Sequence, residues 1–338
     1  MDITSRRYIG SKAKLLDWIF FEIENNTKGK SFFDVFSGTG CVAERALDKY
    51  ETVIINDILY SNKVIYEAFW SDEKFDLEKI NGFIYNYNLL DPNNLPPNYF
   101  SENFGNKYFG YNDAKKIGYI REDIEKIRRE KKINNREFNI ILATLIYSMD
   151  KIANTVGHYE AYRKIEIKDN LLYLRIINIK EYKARIKEIY RRDANELVEK
   201  KSADIIFLDP PYNSRQYSRF YHVLENLVEW EKPELFGVAL KPKAKNMSEY
   251  CRHNAPKIFD ELITKLDCKY IVVTYNNTYN SKSSSSKNKI SFDQILFSLN
   301  KRGKTKIFES SHKFFNAGKT EFTNHKEFLF ITEVNNEE

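Results

Sequence analysis

Ser31-Phe32-Phe33-Asp34-Val35-Phe36-Ser37-Gly38-Thr39-Gly40 joins a short apolar run to a glycine turn. Residues 41–50 have the apolar spacing of a helix, and residues 53–57 form a second apolar run that ends on a carboxylate. Strand, glycine turn, helix and strand in this order are typical of the βαβ unit of a parallel, doubly wound sheet. The stretch therefore predicts an α/β fold with a Rossmann-like sheet.

The alternation stops after the second strand and resumes late in the chain. A helix at 14–24 precedes the glycine stretch, and residues 60–185 contain helical segments. Further strands are predicted at 204–208, 270–275 and 328–332, a helix at 293–300, and a basic, serine-rich loop at 281–289. We therefore predict a catalytic domain of residues 1–59 and 186–338, interrupted by a mostly helical module at 60–185.

Composition limits the classes of protein that the chain can belong to. Its 338 residues, 42% of them hydrophobic, are enough to bury a sizeable core, and the net charge of +6 is compatible with a polyanionic partner. Three well-separated cysteines indicate neither a disulfide framework nor a zinc site. Without an apolar leader or a long apolar run, we expect a cytoplasmic protein with no membrane partner and no metal.

The glycine loop fits the spacing of a dinucleotide site, but Asp34 argues against one. A fixed negative charge at the mouth of the loop would oppose a pyrophosphate. S-adenosylmethionine has no phosphate and carries an ammonium and a sulfonium, so a carboxylate suits that ligand. Asp57, at the end of the next strand, can accept hydrogen bonds from ribose hydroxyls.

The second chemical motif is Asp209-Pro210-Pro211-Tyr212, which follows the predicted strand at 204–208. Ligands bind at the carboxyl ends of strands in an open α/β sheet. Asp209 and the carbonyl of Pro210 can accept the hydrogens of an exocyclic amine, and consecutive prolines remove competing N–H donors. Tyr212 can stack on a base that has been extruded from a duplex. The motif predicts methylation of a base amine.

With these motifs, the chain resembles the amino-methyltransferases of bacterial restriction–modification systems, in particular the adenine-specific group that includes the Dam and FokI-type enzymes. The resemblance rests on residues 7–12, 34–40, 56–57 and 209–217. It implies a site-specific adenine-N6 methyltransferase that uses S-adenosylmethionine on double-stranded DNA, with target recognition in the insertion. It leaves open whether a cognate restriction endonuclease acts at the same site.

The expected site residues fall into three groups. For catalysis they are Asp209, Pro210, Pro211 and Tyr212. For the cofactor they are Tyr8, Ile9, Gly10, Lys12, Asp34, Phe36, Ser37, Gly38, Thr39, Gly40, Asp57, Ile58, Asp193 and Ala194. For DNA they are Arg215, Arg219, Lys287 and Lys289, of which the last two lie in a basic stretch at 282–306.

Three alternatives remain open. An enzyme of the same fold could act on the 4-amino group of cytosine or on adenine in RNA, although cytosine-amino enzymes more often have Ser-Pro-Pro-Tyr in the catalytic position. A nucleic-acid-binding regulator could keep the fold without catalysis.

His158 has no sequence neighbour that would make it a metal ligand or a general base, so we expect it to be structural or to contact DNA.

Overall fold

The computed structural model describes residues 1–211, 213–277, 287–311 and 326–335. The chain forms two compact units, and each is made of several segments. One unit comprises residues 11–58, 182–217 and 246–338, and the other comprises residues 1–10, 59–181 and 218–245. The second unit thus includes two segments that the sequence analysis had placed in the catalytic domain.

The first unit is built on a sheet of seven strands within the described residues. Numbered in chain order, they are β1 (Ser31–Asp34), β2 (Thr52–Asn56), β3 (Ile186–Tyr190), β4 (Ile205–Leu208), β5 (Tyr270–Asn276), β6 (Gly303–Ser311) and β7 (Lys326–Val334). Their order in the sheet is β3-β2-β1-β4-β5-β7-β6. The strands from β3 to β5 are parallel, and β7 runs antiparallel to both of its neighbours. This is the doubly wound α/β sheet that the glycine stretch predicts.

Helices of the sheet unit follow the strands, and apolar side chains between the two layers make its core. Phe33, Ile206 and Ile271 on adjacent strands are fully buried in one cluster with Phe259 and Leu262. The helices are α1 (Leu16–Asn26), α2 (Cys41–Leu47), α8 (Ala194–Leu197), α11 (Ala255–Lys265) and α12 (Phe292–Asn300), with a 3-10 turn at Glu249–Cys251. Helix α9 (Tyr217–Phe220) crosses the boundary between the two units along the chain.

The second unit is helical, as predicted for most of the region between the two halves of the sheet. Buried Arg121 donates to the carbonyls of Leu227 and Val228 and so satisfies the end of the helix that follows the catalytic motif. Its helices are α3 (Tyr60–Trp70), α4 (Leu77–Leu89), α5 (Tyr99–Phe104), α6 (Tyr111–Arg129), α7 (Asn135–Ile152) and α10 (His222–Glu229), with 3-10 turns at Ile3–Ser5 and Pro92–Asn94.

Within the described ranges, no helix is long and apolar enough to cross a membrane. In the same part of the chain, no group of three or more His, Cys, Asp or Glu side chains is arranged to hold a metal ion.

Candidate active site

Asp209 follows β4 directly and lies at the carboxyl end of the parallel strands. Its Oδ1 is 2.9 Å from Nζ of Lys12 and accepts a hydrogen bond of 2.8 Å from the hydroxyl of Thr274, near the end of β5. The Asp209 side chain is 16% exposed, whereas Lys12 is 5% exposed. Two donors on one oxygen fix the plane of the carboxylate, and the site still opens to solvent.

Lys12 also lies in the field of a second carboxylate. Burial lowers the pKa of the Lys12 ammonium, but Asp209 and then Glu327 outweigh burial, and the pKa lies above its ordinary value. Glu327, on β7, is paired in register with Asn276 at the end of β5. Burial raises the pKa of its carboxyl from 4.5 to about 7. A buried charge network therefore surrounds Asp209.

The glycine loop between β1 and α2 needs its glycines for their backbone angles. Gly38 has φ +52° and Gly40 has φ +81°, in the left-handed region that favours glycine. The N–H of Gly38 donates to Oδ2 of Asp57 over 2.9 Å, so the loop and the carboxylate after β2 are tied together. The predicted cofactor loop and ribose-binding acid thus lie beside each other.

Asp34, the last residue of β1, is in an unusual state for a carboxylate. The side chain is 1% exposed, and neither carboxyl oxygen receives a hydrogen bond of good geometry from the described residues, although the Ser37 hydroxyl and the Ala43 N–H lie close enough to lower its pKa in part. Burial and then the negative charge of Asp209 raise the pKa of the Asp34 carboxyl well above its ordinary 3.8. A buried polar group without a partner is costly, and it calls for a ligand that is absent from the free protein.

These residues fit S-adenosylmethionine better than a dinucleotide. Three carboxylates, those of Asp34, Asp57 and Asp209, lie near the glycine loop, and the ammonium of Lys12 is paired with one of them, Asp209. This excess of negative charge would repel a pyrophosphate. A ligand that brings positive charge and no phosphate would compensate the buried carboxylate. The orphaned oxygens of Asp34 are the observation on which this fit rests.

The N-terminal motif crosses from the helical unit into the sheet unit along the chain. In the helical unit, the ring of Tyr8 stacks on Tyr221 with centroids 4.7 Å apart, and the Tyr221 hydroxyl accepts a 2.9 Å hydrogen bond from the N–H of Ile9. Gly10 then has φ +81°. No local sequence pattern predicts this pairing of Tyr8 with Tyr221, because the two residues lie far apart in the chain.

The other predicted cofactor residues lie on or beside the loops after β1, β2 and β3. Asp193 accepts hydrogen bonds from the backbone N–H of Asn195 and Glu196, so it caps α8, and its contact with the cofactor remains a prediction. The rest are Ser37 and Thr39, both buried, Phe36, which packs edge-on against Tyr250, Ile58, whose carbonyl accepts from Arg191, and buried Ala194.

The predicted DNA contacts remain predictions, and some already have structural partners. The guanidinium of Arg219 donates to the carbonyl of Pro242 over 2.7 Å, and the carbonyl of Arg215 accepts from the thiol of Cys251. Lys287 is exposed and Lys289 is half-buried. Residues 278–286, which include most of the predicted basic loop, and Tyr212 lie outside the described residues.

Part of the basic stretch at 282–306 has a structural role that the sequence analysis did not foresee. Arg302 donates to the carbonyls of Ile263, Thr264 and Leu266 at the end of α11. Lys301 pairs with Asp260 over 2.7 Å. These two cations stabilise the packing of α11. Fewer cations of the stretch are therefore available for phosphate contacts than its net charge indicates.

Two residues of the site were missed, Thr274 and Glu327. Thr274 could have been found, because it is a polar residue near the end of a predicted parallel strand, where ligands bind. Glu327 lies near the start of β7, an antiparallel strand to which that rule does not apply. No sequence signal places Glu327 beside Lys12.

Comparison with known proteins supports the assignment that the geometry suggests. The family model of the D12 class N6 adenine-specific DNA methyltransferases matches residues 8–290. The type II methyltransferase M.NlaIII of Neisseria lactamica is 31% identical, over 96% of this chain and 98% of its own length. M.CviAII of Paramecium bursaria Chlorella virus 1 is also 31% identical, over 97% of this chain and 98% of its own.

A third relative, the type II methyltransferase M.FokI of Planomicrobium okeanokoites, is 35% identical over 80% of this chain. The match covers 44% of M.FokI, so this chain corresponds to less than half of that protein. With a family model that covers most of its length and relatives that share nearly all of it, the chain belongs to the D12 class of N6 adenine-specific DNA methyltransferases.

Proposed function

We propose that the chain transfers the methyl group of S-adenosylmethionine to the 6-amino group of an adenine extruded from double-stranded DNA. The observation that carries the proposal is the pair of carboxylates on neighbouring strands. Asp209 is held by Lys12 and Thr274, and the carboxyl of Asp34 is buried without a hydrogen bond of good geometry. Asp209 presents an oriented acceptor, and Asp34 presents a buried carboxyl whose ionised form a cationic ligand would stabilise.

The residues that would hold the cofactor are those of the glycine loop, with Asp34 and Asp57. S-adenosylmethionine would supply an electrophilic methyl group on a sulfonium. Asp34 would compensate the positive charge, and Asp57, already tied to Gly38, would accept hydrogen bonds from ribose.

Asp209 would orient the attacking amine. The lone pair of an exocyclic amine is delocalised into the purine ring, so the nitrogen becomes nucleophilic only as it pyramidalises. A carboxylate that accepts an amino hydrogen favours that geometry, and Lys12 and Thr274 fix where the carboxylate points. The carbonyl of Pro210 would accept the second hydrogen, and Tyr212 would stack on the base.

After methylation the nitrogen is cationic and loses its proton readily, so no strong general base is required. Target recognition is proposed for the helical insertion, residues 60–185, with phosphate contacts from Arg215, Arg219, Lys287 and Lys289. The type II relatives further suggest a cognate endonuclease that acts on the same sequence.

The test is to express the protein in a host without adenine methylation and to map modified bases on its plasmid. We expect N6-methyladenine at one short sequence and unmodified adenine elsewhere. N4-methylcytosine would instead support the cytosine alternative. If the plasmid DNA is unmodified and RNA accepts a labelled methyl group in vitro, the result would support an enzyme that acts on adenine in RNA. If neither DNA nor RNA accepts a methyl group, the result would support a non-catalytic nucleic-acid-binding regulator.

A further inference from the structure

The buried ammonium of Lys12 has two opposing effects on Asp209. It lies 2.9 Å from Oδ1 of Asp209, so it orients the carboxylate. A cation this close also offsets much of the negative charge that makes a carboxylate a strong acceptor. Asp209 would be both oriented and strongly negative only if a further negative charge acted on the same ammonium.

Glu327 supplies such a charge from β7. Its side chain is 7% exposed. Against the effect of burial, Asp209 and then Glu327 raise the pKa of the Lys12 ammonium. In the register of the sheet, Glu327 lies opposite Asn276 on β5, two residues beyond the Thr274 that donates to Asp209. Residues two apart on a strand share a face, so Glu327 and Thr274 are diagonal neighbours on one face of the sheet.

The carboxyl of Glu327 is itself held in place by buried amides. The side-chain oxygen of Asn276 accepts a hydrogen bond of 3.1 Å from the amide of Asn288. The amide nitrogen of Asn276 then donates to Glu327, and this hydrogen bond opposes the rise in pKa that burial causes. Asn276 and Asn288 are 4% and 6% exposed. Burying an acid and two amides is costly unless they bond to one another, and such a network fixes each of its members.

The ammonium that stabilises ionised Glu327 is the one that Asp209 uses. In the described part of the chain, Lys12 and Asp209 are the charged groups that act on the Glu327 carboxyl. Lys326 and Glu309 are close along the β6–β7 hairpin but pair with each other. Both are one position out of phase with Glu327 in the register, so they lie on the opposite face of the sheet.

We propose that Glu327 is a positioning residue for methyl transfer, which shares the ammonium of Lys12 with Asp209 and so leaves Asp209 oriented but still negative. With both acids ionised, two carboxylates and one ammonium carry a net charge of −1. That charge favours the positive charge that develops on the amine nitrogen as the methyl group arrives. With Glu327 neutral, the net charge is zero and this stabilisation is lost. The inference rests on the proposed methyl transfer to a base amine and adds a residue that neither motif contains.

The test is the pH dependence of single-turnover methyl transfer, at saturating cofactor, on a duplex that carries the sequence mapped on the plasmid. Wild type is compared with Glu327→Gln, which mimics the neutral acid at every pH, and with Glu327→Asp, which restores a carboxylate. The matched control is Glu333→Gln, exposed on the same strand. The ratio of the rates of wild type and variant at each pH isolates Glu327, because other groups with shifted pKa values, such as Asp34, are present in both proteins. Binding of S-adenosylmethionine, measured by calorimetry, checks that each variant is folded.

Burial raises the pKa of the Glu327 carboxyl to about 7, so the acid is ionised in wild type at pH 8.5 and neutral at pH 5.5. At pH 8.5 we expect Glu327→Gln to be about tenfold slower than wild type, and Glu327→Asp to lie within about threefold of it. At pH 5.5 the rates of Glu327→Gln and wild type should agree within about twofold. Glu333→Gln should match wild type at both pH values.

A deficit of Glu327→Gln that is equal at both pH values, or absent at both, would overturn the inference while leaving the proposed function intact. Loss of cofactor binding in both Glu327 variants would also overturn it, because Glu327 would then be a structural residue. No transfer to DNA by wild type at any pH would overturn the proposed function, and the inference with it.

Discussion

Two carboxylates end neighbouring parallel strands in this protein, and their surroundings are opposite. Asp34 on β1 is 1% exposed and its carboxyl oxygens accept no hydrogen bond of good geometry, whereas Asp209 after β4 is 16% exposed and is held by Lys12 and Thr274. In the register of the sheet Asp34 is paired with Phe207, two residues before Asp209. The same edge therefore carries one carboxylate that a cation stabilises and one carboxyl whose ionisation burial opposes.

The difference suggests that the two strand ends have separate roles. A carboxylate with fixed donors is oriented before any substrate arrives, as an acceptor that positions an amine should be. Burial drives the Asp34 carboxyl toward its neutral form, and a cationic ligand would stabilise the ionised form. We infer that Asp209 serves the reaction and Asp34 serves the cofactor.

The variant Asp209→Asn tests the catalytic half of the comparison and should have the largest effect. An amide keeps the shape but offers a weaker acceptor, so we expect single-turnover methyl transfer to fall by about 1,000-fold. The control is Asp267→Asn, an exposed carboxylate in the same unit. A loss of less than about tenfold in Asp209→Asn would contradict the role of Asp209.

The variant Lys12→Met asks whether the orientation of Asp209 depends on its buried ion pair. Removing the ammonium leaves a carboxylate without its charged partner, so transfer should fall by about 100-fold. Lys14→Met is the matched control, because Lys14 is exposed two residues further along the chain. Equal methyl-transfer rates in the two variants would contradict a role for Lys12 in orienting Asp209.

The variant Asp34→Asn should stabilise the free protein. Because the pKa of the folded carboxyl lies well above 3.8, its ionisation costs stability at every pH above that value. We expect Tm without cofactor to rise by about 3 °C at pH 8 and the gain to vanish near pH 4. A lower Tm at pH 8, with Asp48→Asn unchanged as the control, would argue that Asp34 is already compensated.

The variant Glu327→Gln tests the outer part of the charge network around Lys12. The Glu327 carboxyl has its pKa raised from 4.5 to about 7, so stability should fall as pH rises through that interval and level off above it. The Gln variant lacks this loss, and its advantage in Tm over wild type should grow by about 3 °C between pH 5 and pH 7.5. Glu333→Gln, exposed on the same strand, should show no such growth.

The smallest effect is expected for Lys287→Ala, because Lys287 is exposed and carries one of many basic charges of the chain. Loss of one phosphate contact should weaken DNA binding about threefold and reduce the slope of log affinity against log salt by about 1. Binding is measured by fluorescence anisotropy at several salt concentrations. An unchanged slope would remove Lys287 from the DNA interface.

The sequence predicts the centre of the sheet better than its edges. Strands β1, β2, β4 and β5 are continuous apolar runs because both of their faces are covered, and each was predicted within a few residues. The outer strands β3 and β6 were missed. Their residues alternate with lysine and glutamate because an edge strand is covered less, and that composition is also typical of loops.

The same limit applies to the site. The glycine loop and Asp209 were predicted correctly as positions at strand ends because each belongs to a motif of consecutive residues. Thr274 and Glu327 reach the site only because β5 and β7 pair with the parallel strands, a relation between positions far apart in the chain. The raised pKa of the Asp34 carboxyl depends on burial and on the charge of Asp209, which is 175 residues away in the chain, and no local sequence pattern encodes either.

The most direct test of the comparison is the affinity of S-adenosylmethionine for Asp34→Asn and Asp209→Asn, measured side by side by calorimetry at pH 8. We expect at least about tenfold weaker binding for Asp34→Asn, because an amide cannot ionise to compensate the cationic cofactor, and a change within about threefold for Asp209→Asn. The reverse pattern, or equal losses in both variants, would contradict the division between the two carboxylates.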